Sequence, residues 1–159
     1  MTTSRRSSSA LPAPARPCTS LPDPPANCPP FHFDNSQQIT ALRQFTARRA
    51  LAAALPAHRI DSLLVCVDEA AANAVRHGGG KGSCRIWTST GAILCDITSP
   101  QGTLNTALAG YLPPAASLMD GRGLWIIRQL SDAADIRSTR HGTIIRIRID
   151  PHPPRPSHL

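Results

Sequence analysis

From Gln37 to Leu55 the apolar residues Ile39, Leu42, Phe45, Ala50, Leu51 and Ala54 return at near-helical intervals, which predicts an amphipathic helix. Asp34-Asn35-Ser36 just before it supplies helix N-caps, and Phe31-His32-Phe33 alternates as a short edge strand does. Pro56 breaks the pattern. A second helix is predicted from about Ala57 to His77, with Leu63, Leu64, Val67, Ala70, Ala71 and Ala74 forming a face small enough to lie flat on a sheet. Gly78-Gly79-Gly80-Lys81-Gly82 then ends the helix and lets the chain turn.

A period of two takes over next. Ser83 to Thr90 carries Cys84, Ile86 and Thr88, and Ala92 to Thr98 carries Ile93, Leu94, Cys95 and Ile97, with Gly91 marking a tight turn between the two strands. Ser99 to Asp120 has three prolines and little periodicity, the mark of a long functional loop such as a lid. Leu124, Ile127 and Leu130 predict a third helix, Leu124 to Ser131. The chain closes with a hairpin, Ala134–Thr139 and Thr143–Ile149, in which Ile145, Ile147 and Ile149 face one way and Ile144, Arg146 and Arg148 the other. Helix, helix, two strands, loop, helix, two strands predicts an α+β two-layer sandwich, with helices on one face of a mixed, mostly antiparallel sheet.

Composition sets the boundaries of that domain. Residues 1–30 hold eight of the 16 prolines and show no apolar periodicity, so they read as a disordered Pro/Ser-rich tail whose removal leaves the melting transition unchanged. Residues 151–159 read as a second loose tail, leaving residues 31–150 as one domain. Of the net charge of +7, the first 30 residues carry +2, the folded part +4 and the C-terminal tail +1. Basic runs with interleaved aromatics are lacking, which argues against direct nucleic-acid binding and leaves a basic surface for an anionic ligand or acidic partner. Cys18, Cys28, Cys66, Cys84 and Cys95 show neither a CxxC pair nor a zinc spacing, so reduced thiols in the cytoplasm are the expectation. Neither a secretory signal nor a run of roughly 20 apolar residues is present, so no membrane association is expected.

Two places carry candidate chemistry. Glu69 and Asn73 stand four residues apart on an otherwise apolar helix, so a carboxylate and a carboxamide project from one face. Such a pair can hold a hydroxyl or water beside a hard cation; a solvated helix face would look the same. Gly121-Arg122-Gly123, directly before the third helix, forms an anion site in which free amides and the helix dipole favour phosphate. A turn needing two glycines is the plainer account. His77 and Lys81 are read as a helix-end contact and a solvated lysine, and Trp125 as core.

In combination these segments resemble the GHKL (Bergerat) ATP-binding fold, and within it the bacterial anti-sigma-factor serine/threonine kinases. Glu69-Ala-Ala-Ala-Asn73 with Arg76-His77-Gly78-Gly79 looks like their N box, and Asp120-Gly121-Arg122-Gly123-Leu124 like the glycine box after their ATP lid. The resemblance implies that Asn73 ligands Mg2+ on the ATP phosphates and that Glu69 is the general base toward a serine hydroxyl. His77, Gly78, Ser99, Gly121, Arg122, Gly123 and Leu124 would line the nucleotide site. It also implies a sigma factor and an anti-anti-sigma (STAS-type) protein as partners, and leaves a homodimer open. One position departs from the pattern. Ser99 stands where the family has the Asp that reads the adenine amino group, and Gln101 where its Gly belongs; Asp96 should face the opposite side of the strand. A hydroxyl in place of that carboxylate weakens binding by roughly 1–3 kcal/mol, about one to two decades in affinity. The alternative is a degenerate module that keeps the fold and sequesters a partner with little or no ATP turnover.

Overall fold

The computed structural model describes residues 20–101 and 122–152. Gly121 and all but the first three residues of the expected lid loop therefore lie outside the described residues, as do the outer parts of both tails. In chain order the elements are β1 (Phe31–Phe33), α1 (Ser36–Ala52), α2 (Ala57–His77), β2 (Gly82–Ser89), β3 (Ala92–Ser99), α3 (Arg122–Leu130), β4 (Ala133–Thr139) and β5 (Gly142–Ile149).

The five strands form one sheet in the order β1-β2-β3-β5-β4. Every pairing among them is antiparallel, in keeping with the mostly antiparallel sheet expected. α1, α2 and α3 pack one face through Leu42, Leu63, Val67, Leu124 and Ile127 against Ile93, Ile97, Ile145 and Ile147. Alternation places these side chains on the helix side, and burying each large aliphatic contributes roughly 2 kcal/mol.

Local chemistry explains the element ends. Asn35 caps α1 by accepting the Gln38 N–H at 3.0 Å, while Gln38 Oε1 accepts the Asp34 N–H at 2.6 Å. α1 stops at Ala52, three residues before the expected end, because Ala54 adopts φ +56° and Leu55 precedes a proline. Leu51, expected on the apolar face, is instead 66% exposed. Arg59 on α2 pairs with Asp132 and donates to the Asp150 carbonyl at 2.9 Å, tying the start of that helix to the end of β5.

The second face of the sheet corrects the reading of the N-terminal tail. Residues 20–30 do not stand apart from the domain; Cys28 and Leu21 pack with Trp87 and Leu94 on the side away from the helices. Arg146 is the anchor. It forms a buried two-pronged pair with its cross-strand neighbour Asp96 at 2.7 and 2.8 Å. It also donates to the Leu21 and Pro22 carbonyls and to Asp23 Oδ1, and lies 5.4 Å from the Trp87 ring centre. Prolines already restrict the unfolded chain, so fixing this strap costs less entropy than its lack of periodicity implied. No helix among the described residues is long and apolar enough to cross a membrane.

Candidate functional site

Glu69 and Asn73 lie on the C-terminal half of α2, both half-buried. The neighbouring carboxylate, Asp68, is paired with Arg43 of α1, and partial burial still holds its carboxyl above the ordinary range. Glu69 and Asn73 have no hydrogen-bond or ion-pair partner among the described residues. A carboxylate and a carboxamide held half-buried without partners among the described residues are groups open to receive something else.

α3 completes this part of the site. Leu124 and Ile127 bury its inner face, and the Cys66 thiol of α2 lies 3.9 Å from the Ile127 carbonyl oxygen. Burial pushes that thiol up to about 12, so it packs as a neutral group. Gly123, in the first turn of α3, sits so close to Glu69 that a Cβ there would stand 2.7 Å from Glu69 Oε2. A side chain here would displace the carboxylate from this position. Arg122, one residue earlier, is exposed, and Leu124 after it is buried.

The other wall is built where α2 ends against β3. A Cβ on Gly78 would fall 2.4 Å from Ser99 Cβ, so the helix terminus touches the last residue of the strand. Gln101 N–H donates to the Gly78 carbonyl at 3.2 Å, and the Ser99 hydroxyl donates to the Gln101 carbonyl at 3.2 Å. Gly142 presses on the same corner, since its Cβ would meet Ser99 O at 1.9 Å. His77 is exposed on the last turn of α2. Asp96 lies on the far face with Arg146, as strand alternation required.

The residues singled out in the sequence thus gather in two contacting sets: Glu69 with Gly123, and Gly78 with Ser99 and Gln101, joined through α2. Arg122 and Leu124 flank the first set; Gly121 lies outside the described residues. Trp125 belongs to neither buried cluster and is only half-buried. What sequence reasoning missed is the part played by Gly142. Its glycine reads as an ordinary hairpin turn, and only the sheet order brings it to Ser99.

A model of the histidine kinase-like ATPase domain matches residues 33–149. The chain belongs to the histidine kinase-like ATPase family. The RsbU and RsbW domains of Rv1364c from Mycobacterium tuberculosis have a similar fold, with a TM-score of 0.58 at 14% identity over 77% of this chain and 32% of that one. This chain therefore spans about a third of that chain's length. No curated protein matches it.

Membership in the histidine kinase-like ATPase family implies ATP binding. The phosphate end of the site fits. Asn73 offers a neutral oxygen ligand for a hard cation, Gly123 leaves backbone open beside Glu69, and Arg122 stands on the first turn of α3. No cluster of three metal-ligating side chains occurs among the described residues. An adenine read at Ser99, as the resemblance implies, would find less. The Ser99 hydroxyl spends its proton on Gln101 and keeps oxygen lone pairs to accept from an amine, without a carboxylate's charge.

Proposed function

We infer that this chain is an ATP-dependent serine/threonine kinase of the anti-sigma type. It would bind a sigma factor and phosphorylate a serine of an anti-anti-sigma (STAS-type) partner. The observation that carries the reading is the half-buried Glu69/Asn73 pair, without a partner among the described residues, with Gly123 held against the carboxylate. Asn73 would ligand Mg2+ on the ATP phosphates, and the bound metal would supply charge neutralisation on the transferring group. Glu69 would accept the proton of the serine hydroxyl as its oxygen bonds to the γ-phosphorus, the bond from that phosphorus to the β,γ-bridging oxygen breaks and ADP leaves. Arg122 and the first-turn amides of α3 hold the phosphate charge.

The test is transfer of label from γ-labelled Mg-ATP to a panel of STAS-type proteins. Wild type labels one of them on serine, and Glu69→Ala abolishes labelling while nucleotide still binds. Labelling retained in that variant would remove Glu69 as the base. One observation favours a second reading, a binding module without turnover. The Ser99 hydroxyl donates to the Gln101 carbonyl, and the Gln101 N–H to the Gly78 carbonyl, where an adenine-reading carboxylate would stand. Partner capture that is indifferent to ATP would favour that module.

A further inference from the structure

The stretch from Leu21 to Asp23 is held on the outer sheet face as a peptide is held by a receptor. The receptor side comes wholly from the sheet: Trp87 of β2, Leu94 and Asp96 of β3, and Arg146 of β5. Asp96 accepts from Arg146 Nε and Nη2, and the guanidinium carbon lies 5.4 Å from the Trp87 ring centre. Those contacts need no strap, so they fix the guanidinium and leave Nη1 to present. All three acceptors of Nη1 among the described residues belong to the strap. They are the Leu21 and Pro22 carbonyls at 3.1 and 3.2 Å and Asp23 Oδ1 at 2.7 Å. Leu21 packs beside Trp87 and Leu94.

Two observations mark the strap as the exchangeable half of this contact. It ends before residue 33, where the family match begins, so it is an addition to the domain it covers. It is also thinly held. Pro22, Asp23, Pro25, Ala26 and Asn27 are exposed, the Asp23 side chain at 85%, against 7% for Arg146. Cys28 ties the far end separately, donating through Sγ to the Ile86 carbonyl at 3.3 Å, which leaves residues 20–25 on a tether. Pro22, Pro24 and Pro25 each fix φ, so a segment of this kind docks with little ordering cost.

We propose that this strip of the outer sheet face is a docking site for an extended, proline-rich acidic segment of a partner protein. The segment carries an apolar residue, a proline and an aspartate in that order, and the strap occupies its place in cis. The partner's aspartate and main-chain carbonyls take Arg146 Nη1, and its apolar side chain covers Trp87 and Leu94. A tethered strap competes at an effective concentration on the order of millimolar, which sets the threshold a partner must exceed.

The experiment is fluorescence polarisation of a labelled peptide of residues 20–27, Ser-Leu-Pro-Asp-Pro-Pro-Ala-Asn, titrated with the full chain. Leu21→Ala with Asp23→Ala in the protein weakens the strap in cis and leaves the sheet residues untouched. That variant binds the peptide saturably and about tenfold or more tighter than wild type, as release from an internal competitor requires. Asp23→Asn in the peptide weakens binding severalfold. Should the double variant misfold in thermal melts, Asp23→Ala alone gives a smaller gain of about threefold. Both proteins stay monomeric by light scattering. Equal affinity of wild type and variant, no saturable binding to a folded variant, or indifference to the peptide's aspartate would overturn the proposal. A dimer dissolved by the peptide would overturn it too, because the occupant would then be a second copy's strap.

Discussion

Ser99 holds the corner between α2 and β3 with a hydroxyl where the family resemblance calls for a carboxylate, and its neighbours explain how that corner packs. Gly78 and Gly142 both abut it, so the site has no room for Cβ atoms on either flank. Ser99→Asp restores a charged acceptor for an amine and should tighten Mg-ATP by about one decade, read by calorimetry. Unchanged affinity would show that the base does not reach this corner. Gly142→Ala combines φ +127° with a 1.9 Å approach to Ser99 O and should cost about 3 kcal/mol in denaturant melts. Gly123→Ala differs in kind, because its Cβ meets the far end of the flexible Glu69 side chain. The carboxylate can swing aside, so phosphoryl transfer should fall by about tenfold or more while Tm changes little. A large Tm loss with normal transfer would contradict Glu69's placement as base. Burial raises Cys66 to about 12, and the thiol–thiol hydrogen bond to Cys84, 3.5 Å between the sulfurs, together with burial raises Cys95. At pH 8 both thiols are protonated, so neither should react with a disulfide reagent until denaturant is added.

At the scale of elements, the strap over the second sheet face is the feature to test. Arg146→Ala strands the buried Asp96 carboxylate and should cost about 3–5 kcal/mol by denaturant melting. Truncating the chain to begin at residue 31 removes the Leu21, Pro22 and Asp23 contacts and should lower Tm, contrary to the sequence expectation. Arg146 holds the Asp23 carboxyl below its usual value of 3.8. A lowered acid pKa stabilises the folded state above the unfolded value and loses that contribution as pH falls through the folded one. The Tm gap between full and truncated chains should therefore be constant near neutrality and shrink only below about pH 3.8. A gap that is absent at pH 7 would place the strap outside the folding unit. The helices, the paired strands and the Glu69/Asn73 face were legible because each repeats a period the eye can follow. The strap was not. It docks through backbone carbonyls, the Asp23 carboxylate and two apolar side chains, Leu21 and Cys28, and none of these leaves a periodic trace.

For the whole molecule, an antiparallel sheet carries two unlike faces. Three helices bury one face and hold the candidate nucleotide site at the corner of α2, β3 and α3. The other buries an ion pair under the strap. Much of the site was readable because Glu69, Asn73 and Gly123 sit at fixed places in helices, whereas the contact of Gly142 with Ser99 and the strip around Arg146 and Trp87 exist only through sheet order. The central claim is that Glu69, Asn73 and Gly123 form a working Mg-ATP site. Calorimetric titration of Mg-ATP into wild type and Asn73→Ala tests it most directly. The account predicts saturable binding to wild type, weakened about tenfold or more by Asn73→Ala. Binding to both with equal affinity, or to neither, would contradict it.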